Sequence, residues 1–328
     1  MKTYLYLKSS KIQTRLFAHR LFAPVLGLAL LIVGLAFVSD SALAGGTNAC
    51  DVTTQAAARA CNQAAQSDYS IALGNCANLS DPNAQAQCRQ SAAATLQAAL
   101  QLCQQQTALR SQVCDKLGGG PYDPVIDPAN FVTKIDNPYF PLPPGTTFVY
   151  EGQTADGFER DVFAVTHLTR MILGVPCVEV HDSVYLNGIL SEDTRDWFTQ
   201  DKEGNVWYFG ENSTLVTRGL PTDLSGSWTG GIDSAKPGIV MEAHSAVGDF
   251  YRQEFSLANA EDLAQVVSLN ESVVVPYGSF DHCLKTLEST PLSPGDLENK
   301  YYAPGVGNIL TVDLATGERS ALVAIETN

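Results

Sequence analysis

The pattern of polar and apolar positions changes once along the chain, near residue 120. Residues 45–117 are rich in Ala and Gln and contain helix-forming runs such as Ala56-Ala57-Ala58. Near the middle of this region, Asp81-Pro82 is a helix-start signal, because Asp caps helices and Pro suits the first helical position. The pattern predicts an antiparallel helical hairpin that turns at residues 79–83.

From residue 146 onward, polar and apolar side chains alternate, which is typical of strands with one buried face. The dipeptide Asn187-Gly188 gives the strongest turn signal, since both residues tolerate the positive φ angles of a two-residue hairpin turn. The alternation predicts strands over 146–153, 159–168, 178–186, 189–198, 205–210, 249–256, 266–275, 280–288, 299–303, 309–313 and 320–325. The predicted fold class is α+β: an N-terminal disulfide-stapled antiparallel helical hairpin, followed by an antiparallel β-meander that forms a barrel or half-barrel.

These patterns divide the chain into four segments. Residues 1–44 have the basic start, the apolar run and the closing Ala42-Leu43-Ala44 of a signal peptide, and an uncleaved membrane anchor is the alternative. Residues 45–117 form the Cys-rich helical hairpin, 118–145 the linker into the next segment, and 146–328 the β domain. Cleavage before Gly45 would leave a periplasmic or secreted, and therefore extracytoplasmic, protein without an integral membrane span.

Charge is distributed unevenly between the two folded regions. The chain carries 35 acidic and 20 basic residues, a formal net charge of −15, whereas acidic and basic side chains balance in residues 45–120. The negative excess therefore belongs to the β region. This balance argues against nucleic acid as a partner, because phosphate binding needs clustered Lys and Arg.

The eight Cys residues fall into a set of six and a leftover pair. The spacings of the six are palindromic about residue 82, which predicts the nested disulfides Cys50–Cys114, Cys61–Cys103 and Cys76–Cys88. Six Cys allow fifteen pairings, and a zinc site is the rival, although the region has neither a Cys-x-x-Cys motif nor a His. The leftover Cys177 and Cys283 are predicted to form a disulfide between strands, with two buried thiols or a nucleophile as alternatives.

Several segments of the β region are similar to known sequences. EDTRDWF (192–198), QDKEGNVWYFGE (200–211), VPYGSF (275–280) and KYYAPGVG (300–307) resemble a family of uncharacterised secreted bacterial β-rich proteins, over residues 121–328. The last of these segments is also similar to a closing motif of envelope half-barrels related to lipoprotein carriers. The resemblance implies a β fold and an exported location.

The predicted 178–198 hairpin carries the strongest candidate site. With a two-residue turn, Glu179 would face Asp196, and Ser183 would face Glu192. Directly opposed carboxylates repel each other, so a divalent cation or a shared proton could bind between them, and a solvated strand face is the alternative. The candidate ligands of a metal or other ligand, which this register places on one face, are Glu179, His181, Glu192 and Asp196.

The search for catalytic motifs is negative. The chain has no Gly-x-Ser-x-Gly, His-Glu-x-x-His, phosphate-binding glycine loop or dinucleotide fingerprint, and no catalytic residue or cofactor-binding motif can be assigned. We therefore predict a non-enzymatic, acidic β-barrel protein of the cell envelope that binds an apolar small molecule or a metal ion. The alternatives are a hydrolase that uses a divalent metal ion at the 178–198 hairpin, and a structural envelope or surface component with an envelope protein as partner.

Overall fold

The computed structural model describes residues 48–327. The predicted signal peptide, residues 1–44, lies outside the described residues. Helix α1 spans Ala49–Ala77, helix α2 spans Pro82–Leu117, and a short 3-10 turn spans Pro128–Asn130. The strands are β1 Phe131–Val132, β2 Thr146–Thr154, β3 Gly157–Ile172, β4 Val175–Leu186, β5 Ile189–Asp201, β6 Val206–Thr217, β7 Leu220–Asp223, β8 Trp228–Thr229, β9 Lys236–Met241, β10 Phe250–Arg252, β11 Glu254–Phe255, β12 Leu263–Val275, β13 Gly278–Ser289, β14 Leu297–Ala303, β15 Gly307–Asp313 and β16 Arg319–Thr327.

The helical hairpin confirms the prediction from the Cys spacing. Helix α2 begins at Pro82, and the side chain of Asp81 caps it by accepting a hydrogen bond from the Asn83 N–H. The disulfides are Cys50–Cys114, Cys61–Cys103 and Cys76–Cys88, with Cα–Cα distances of 5.5–5.7 Å. Small buried side chains such as Ala57 and Ala99 allow the two helices to approach this closely. Within residues 48–327, no helix is long and apolar enough to cross a membrane.

The strands form one large antiparallel sheet that curls into a nearly closed barrel. The order of hydrogen-bonded neighbours is β10-β12-β13-β14-β15-β16-β2-β3-β4-β5-β6-β9-β11. Consecutive strands are mostly neighbours, as expected of a meander. The predicted α+β class, with a β-meander after the hairpin, is therefore confirmed.

The two ends of the sheet meet at residues 252–254. Strand β10 ends at Arg252 on one side of the strand order, and β11 begins at Glu254 on the other, where it pairs with β9. Gly238 permits this approach, since a Cβ at that position would lie 2.4 Å from the carbonyl carbon of Gln253. A single residue thus links the two ends, which nearly closes the barrel.

One end of the barrel is closed by the chain that precedes β2. Ile135 and Leu142 are buried in the main core of the barrel, and Phe140 packs against it. The ring of Phe140 lies 5.5 Å from Phe198 of β5 and 6.4 Å from Tyr302 of β14, centroid to centroid. Since these two strands lie six steps apart in the sheet order, Phe140 spans the interior. We call this closed end the apolar end.

The second half of α2 is attached to the barrel by buried polar contacts. The Arg110 guanidinium donates to the carboxylate of Glu261, with Nη2–Oε1 and Nε–Oε2 distances of 2.7 and 2.9 Å. The side-chain amide of Gln106 donates to the carbonyl oxygen of Leu292 at 2.8 Å. The hairpin therefore contacts the barrel on the N-terminal side of the Gly118–Gly120 linker.

Candidate functional site

The β4/β5 hairpin differs from its predicted register. The two-residue turn at Asn187-Gly188 is present, with Leu186 opposite Ile189. A bulge at Ser191 then shifts the pairing by one residue, so that Asp196 lies opposite Val180 instead of Glu179. Because successive side chains on a strand point to opposite faces, the shift turns the rest of β5 over. The predicted register is wrong beyond the bulge.

The bulge divides the four candidate residues between two faces of the sheet. Glu192 and Asp196 point into the barrel, together with Asp182 of β4. Glu179 and His181 alternate with the inward Val180 and Asp182 and therefore point outward. Glu179 and Asp196, which were predicted to face each other, lie on opposite sides of the sheet.

The outward group forms a polar network on the barrel surface. His181 Nε2 contacts the carboxylate of Asp193, and Ser183 Oγ lies 3.0 Å from the same nitrogen. The indole N–H of Trp197 donates to Glu179 at 3.3 Å. A Ser-His-Asp relay needs contacts to both ring nitrogens of the His, whereas here both contacts reach Nε2. The network therefore lacks the geometry of a catalytic triad.

Cys177 and Cys283 are buried and free, so the predicted disulfide between them is wrong. Cys177 on β4 packs in an outer cluster with Trp197 and Phe209, whereas Cys283 on β13 belongs to the main core. Five strands separate β4 from β13 in the sheet order. Burial raises the pKa of the Cys177 thiol to about 12, which keeps it protonated at neutral pH.

The interior of the barrel contains a cavity of about 240 Å³. Its apolar part lies toward the apolar end and is walled by aromatic rings. Phe163 lies 6.4 Å from Phe198, and Phe198 stacks on Tyr208 with a centroid distance of 4.7 Å. Phe140, Phe148 and Tyr302 also line the cavity. These rings present flat apolar surfaces to the enclosed space.

The opposite end of the cavity is lined by carboxylates. We call it the carboxylate end; it carries the chain connections at 155–156, 187–188 and 314–318. Five buried acidic residues line the cavity: Asp182, Asp196, Glu211, Glu254 and Glu298. Six partly exposed acidic residues surround them: Glu159, Asp161, Glu192, Asp262, Asp313 and Glu318. The exposure of the outer six indicates that the cavity opens to solvent at this end.

Two basic side chains, Lys300 and Arg319, also line the cavity. Arg319 is exposed at the rim. Lys300 points inward from β14 and pairs with Glu288 at 2.6 Å. The other oxygen of Glu288 accepts hydrogen bonds from the hydroxyls of Tyr302 and Thr286, at 2.9 and 3.0 Å. Glu288 is directly opposite Glu298 and lies on the same inward face, so Lys300 pairs with a buried carboxylate inside the barrel.

Glu298 differs from Glu288 in having no such partners. It is 5% exposed and lines the cavity, and Oε2 has no hydrogen-bond partner within residues 48–327. Glu298 lies directly between Glu288 and Asp313 on the flanking strands. Burial raises the pKa of Glu298 to about 8; Glu288, Asp313 and Asp262 act in the same direction, and Lys300 opposes them. The side chain is therefore protonated in most molecules at neutral pH.

A second acidic pair lies deeper in the cavity. Asp196 on β5 is directly opposite Glu211 on β6, and both are buried. The Tyr208 hydroxyl donates to Asp196 at 2.6 Å. Burial, followed by the charges of Asp196 and Glu211, raises the pKa of Tyr208 well above its usual value. Tyr208 therefore stays a neutral donor that partly offsets the burial of Asp196.

The carboxylates of the cavity are spread around its wall. Within residues 48–327, no group of three or more His, Cys, Asp or Glu side chains is arranged to hold a metal ion.

Sequence reasoning identified two of the cavity carboxylates, Glu192 and Asp196, and missed the others. A detectable signal was the acidic residue that interrupts an apolar inward face, such as Asp182 between Val180 and Val184. The same interruption recurs on β3 with Asp161. Acidic residues that recur on the inward faces at the same end of successive strands indicate a shared interior site.

No protein-family model and no curated protein matches the chain. The crystal structure of a putative lipoprotein from Parabacteroides distasonis is similar to the chain, with 16% sequence identity and a TM-score of 0.28. That match covers 57% of this chain and 97% of the other.

Proposed function

We propose that the protein is an exported, non-enzymatic binding protein whose barrel interior holds a small molecule with an apolar part. The observation that carries this proposal is the cavity of about 240 Å³, walled by aromatic rings at one end and open at the other. Enclosed cavities lined by aromatic and apolar side chains with a few polar groups are the usual sites of small-molecule binding. Binding is the function that this interior supports best.

Export is supported by two independent features of the chain. Residues 1–44 have the basic, apolar and small-residue order of a signal peptide. The three disulfides of the hairpin belong to the chemistry of oxidising compartments outside the cytoplasm. We therefore place the protein in the periplasm or the medium as part of the same proposal.

The hydrolase alternative depended on four side chains sharing one face of the β4/β5 hairpin. The bulge at Ser191 directs Asp196 and Glu192 inward and leaves Glu179 and His181 outside. A single metal ion cannot bridge these two faces of a sheet. The geometry therefore supports binding over metal-dependent hydrolysis at this hairpin.

Binding of N-phenyl-1-naphthylamine, a neutral aromatic probe that fluoresces in apolar sites, tests the proposal. We expect saturable binding to the wild type and an affinity lower by about tenfold or more in Val184→Trp, because Val184 lines the cavity and the indole would fill it. The matched control is Val274→Trp, which places the same ring on a position that is 72% exposed. Fluorescence titration measures both variants.

Equal binding by the wild type, Val184→Trp and Val274→Trp would show that the probe lies on the surface. Absence of saturable binding to the wild type would contradict the proposal itself. Melting temperatures of the three proteins establish that each is folded before titration.

A further inference from the structure

We infer that the ligand is an elongated apolar molecule with an uncharged polar group, such as a hydroxyl, at each end, and that one end bonds to Glu298 and the other to Asn308. This inference rests on the proposed function and specifies the class of molecule that the cavity binds. Three observations carry it: two buried polar atoms without partners, their separation along the cavity wall, and the aromatic rings that line the same space.

Glu298 supplies the first of the two atoms. It is 5% exposed and lines the cavity, and its Oε2 has no hydrogen-bond partner within residues 48–327. A buried polar atom without a partner is uncommon in native structures, because nothing offsets its loss of hydration. A protonated carboxyl group has an O–H donor as well as an acceptor oxygen, and a hydroxyl on the ligand can bond to either.

Asn308 on β15 supplies the second atom. Its side-chain nitrogen Nδ2 is buried, and no acceptor in the part of the chain that the structure describes bonds to it. Asn308 lines the cavity and lies directly opposite Tyr302, whose side chain points inward. The backbone carbonyl of Asn308 accepts a hydrogen bond from the Tyr150 hydroxyl at 3.0 Å, which holds this end of β15 in place. The amide N–H groups therefore need an oxygen acceptor that a ligand can bring.

The two groups lie at different depths of the cavity. Glu298 and Tyr302 are four residues apart on β14, which corresponds to about 13 Å along an antiparallel strand. Since Asn308 is opposite Tyr302, it lies toward the apolar end, whereas Glu298 lies at the carboxylate end. One polar atom cannot bond to both groups at hydrogen-bond distance. A ligand that satisfies both needs a polar group at each end of an extended body.

The aromatic lining of the cavity accounts for the apolar body of the ligand. The ring of Phe140 lies 6.4 Å from Tyr302, and Phe198 stacks on Tyr208 with a centroid distance of 4.7 Å. All four rings line the cavity that also contains Glu298 and Asn308. Such rings contact an alkyl or aryl segment by dispersion.

Both unpartnered groups favour uncharged ends on the ligand. The Asn308 amide carries no charge, and burial raises the pKa of Glu298 to about 8, which keeps its carboxyl group protonated in most molecules at neutral pH. A charged ligand group buried against neutral partners loses most of its hydration free energy without an ion pair in return. A hydroxyl loses much less, and hydrogen bonds to a buried amide or acid offset that loss.

A series of eight-carbon probes separates the polar ends from the chain: 1,8-octanediol, 1-octanol, octylamine and octanoate. Displacement of N-phenyl-1-naphthylamine gives their relative affinities. We expect the wild type to bind 1,8-octanediol at least about tenfold more tightly than 1-octanol, because 1-octanol leaves one of the two buried groups without a partner. Octylamine and octanoate should each bind at least about tenfold more weakly than 1-octanol.

Two variants remove the proposed contacts one at a time. Asn308→Leu keeps the branching of the side chain without its amide, and Glu298→Met keeps the length of the side chain without its carboxyl group. In each variant 1-octanol should bind more tightly than 1,8-octanediol, because one hydroxyl of the diol is then buried against an apolar side chain. Both variants should melt at or above the wild-type temperature, since each removes a buried polar atom that lacks a partner.

Two control variants should keep the wild-type order of the probes. Glu298→Gln retains a side chain that forms hydrogen bonds at the carboxylate end of the cavity. Asn62→Leu makes the same change as Asn308→Leu at an exposed position of α1. Retention of the order in these controls shows that a reversal reports the lost contact and not the substitution as such.

Wild-type binding of 1-octanol that equals or exceeds that of 1,8-octanediol would overturn the inference and leave the proposed function standing. The wild-type order of probes in either Asn308→Leu or Glu298→Met would do the same. Octylamine or octanoate as the tightest probe would overturn the inference in favour of a charged ligand. Failure of the wild type to bind N-phenyl-1-naphthylamine would remove the proposed function, and the inference with it.

Discussion

Replacing Arg110 by Ala should lower the free energy of unfolding by about 3–5 kcal/mol. The Arg110 and Glu261 side chains are 5% and 1% exposed, and they are joined by hydrogen bonds of 2.7–3.1 Å. The substitution leaves the buried carboxylate of Glu261 with one backbone donor, the N–H of Ala258 at 2.7 Å. Urea denaturation monitored by circular dichroism measures the loss.

Two further variants show whether this loss comes from the buried pair. Arg59→Ala removes an exposed guanidinium from α1 and should change stability by less than about 0.5 kcal/mol. The double variant Arg110→Met/Glu261→Met should recover part of the stability, because the carboxylate is removed with its guanidinium, while buried Arg252 loses the charge of Glu261. An unchanged stability in Arg110→Ala would mean that the hairpin docks weakly and that the β region is independent of it.

Replacing Glu298 by Gln should flatten the dependence of stability on pH. The pKa of Glu298 is raised from 4.5 to about 8 in the folded protein. Its contribution is therefore fully present below about pH 4.5, and it is lost as the pH rises through about 8. The Gln side chain stays neutral at every pH, so the variant should be more stable than the wild type at pH 8.5 by about 5 kcal/mol.

The sign of this effect distinguishes it from a general loss of charge. Near pH 4.5 the wild type and Glu298→Gln should have similar stabilities, and the difference should grow with rising pH. Glu242, whose pKa burial and Asp249 raise to about 7, contributes in the same direction and remains in both proteins. The control Glu203→Gln, which changes an exposed residue in the turn between β5 and β6, should have the same pH profile as the wild type. Parallel pH profiles of the wild type and Glu298→Gln would show that Glu298 ionises normally.

The helical hairpin could be predicted because its determinants are local. The Asp81-Pro82 cap depends on neighbours in sequence, and the palindromic Cys spacing fixes the pairing once two antiparallel helices are assumed. The strands of the meander could be predicted from the alternation of polar and apolar residues, which is also a local pattern. Strand β9 was not predicted, because Pro237-Gly238 resembles a turn. In the structure, Gly238 instead permits the close approach of Gln253.

The candidate site depended on cross-strand geometry that alternation does not specify. The turn at Asn187-Gly188 was correct, and the bulge at Ser191 then exchanged the two faces of β5. The sequence holds no local signal for this bulge, because it arises from how β5 fits between β4 and β6. The pairing of Cys177 with Cys283 failed for a related reason: the number of strands between β4 and β13 is a property of the closed sheet.

The division of the chain at residues 118–120 stays a prediction. The contacts of Arg110 and Gln106 with the barrel cross this linker, so a fragment that begins at Pro121 would expose Glu261 to solvent. Solvation of that carboxylate would reduce the cost of losing Arg110. Cooperative melting of the fragment would support separate domains.

The central claim is that the barrel interior binds a small molecule, and native mass spectrometry of the protein purified from the periplasm tests it most directly. The account predicts a complex heavier than the chain with three disulfides, whose excess mass disappears on denaturation. Val184→Trp should lack the excess mass, and incubation with N-phenyl-1-naphthylamine should replace it in the wild type. The account would be contradicted by bare chains of the wild type and Val184→Trp that gain no mass from excess N-phenyl-1-naphthylamine.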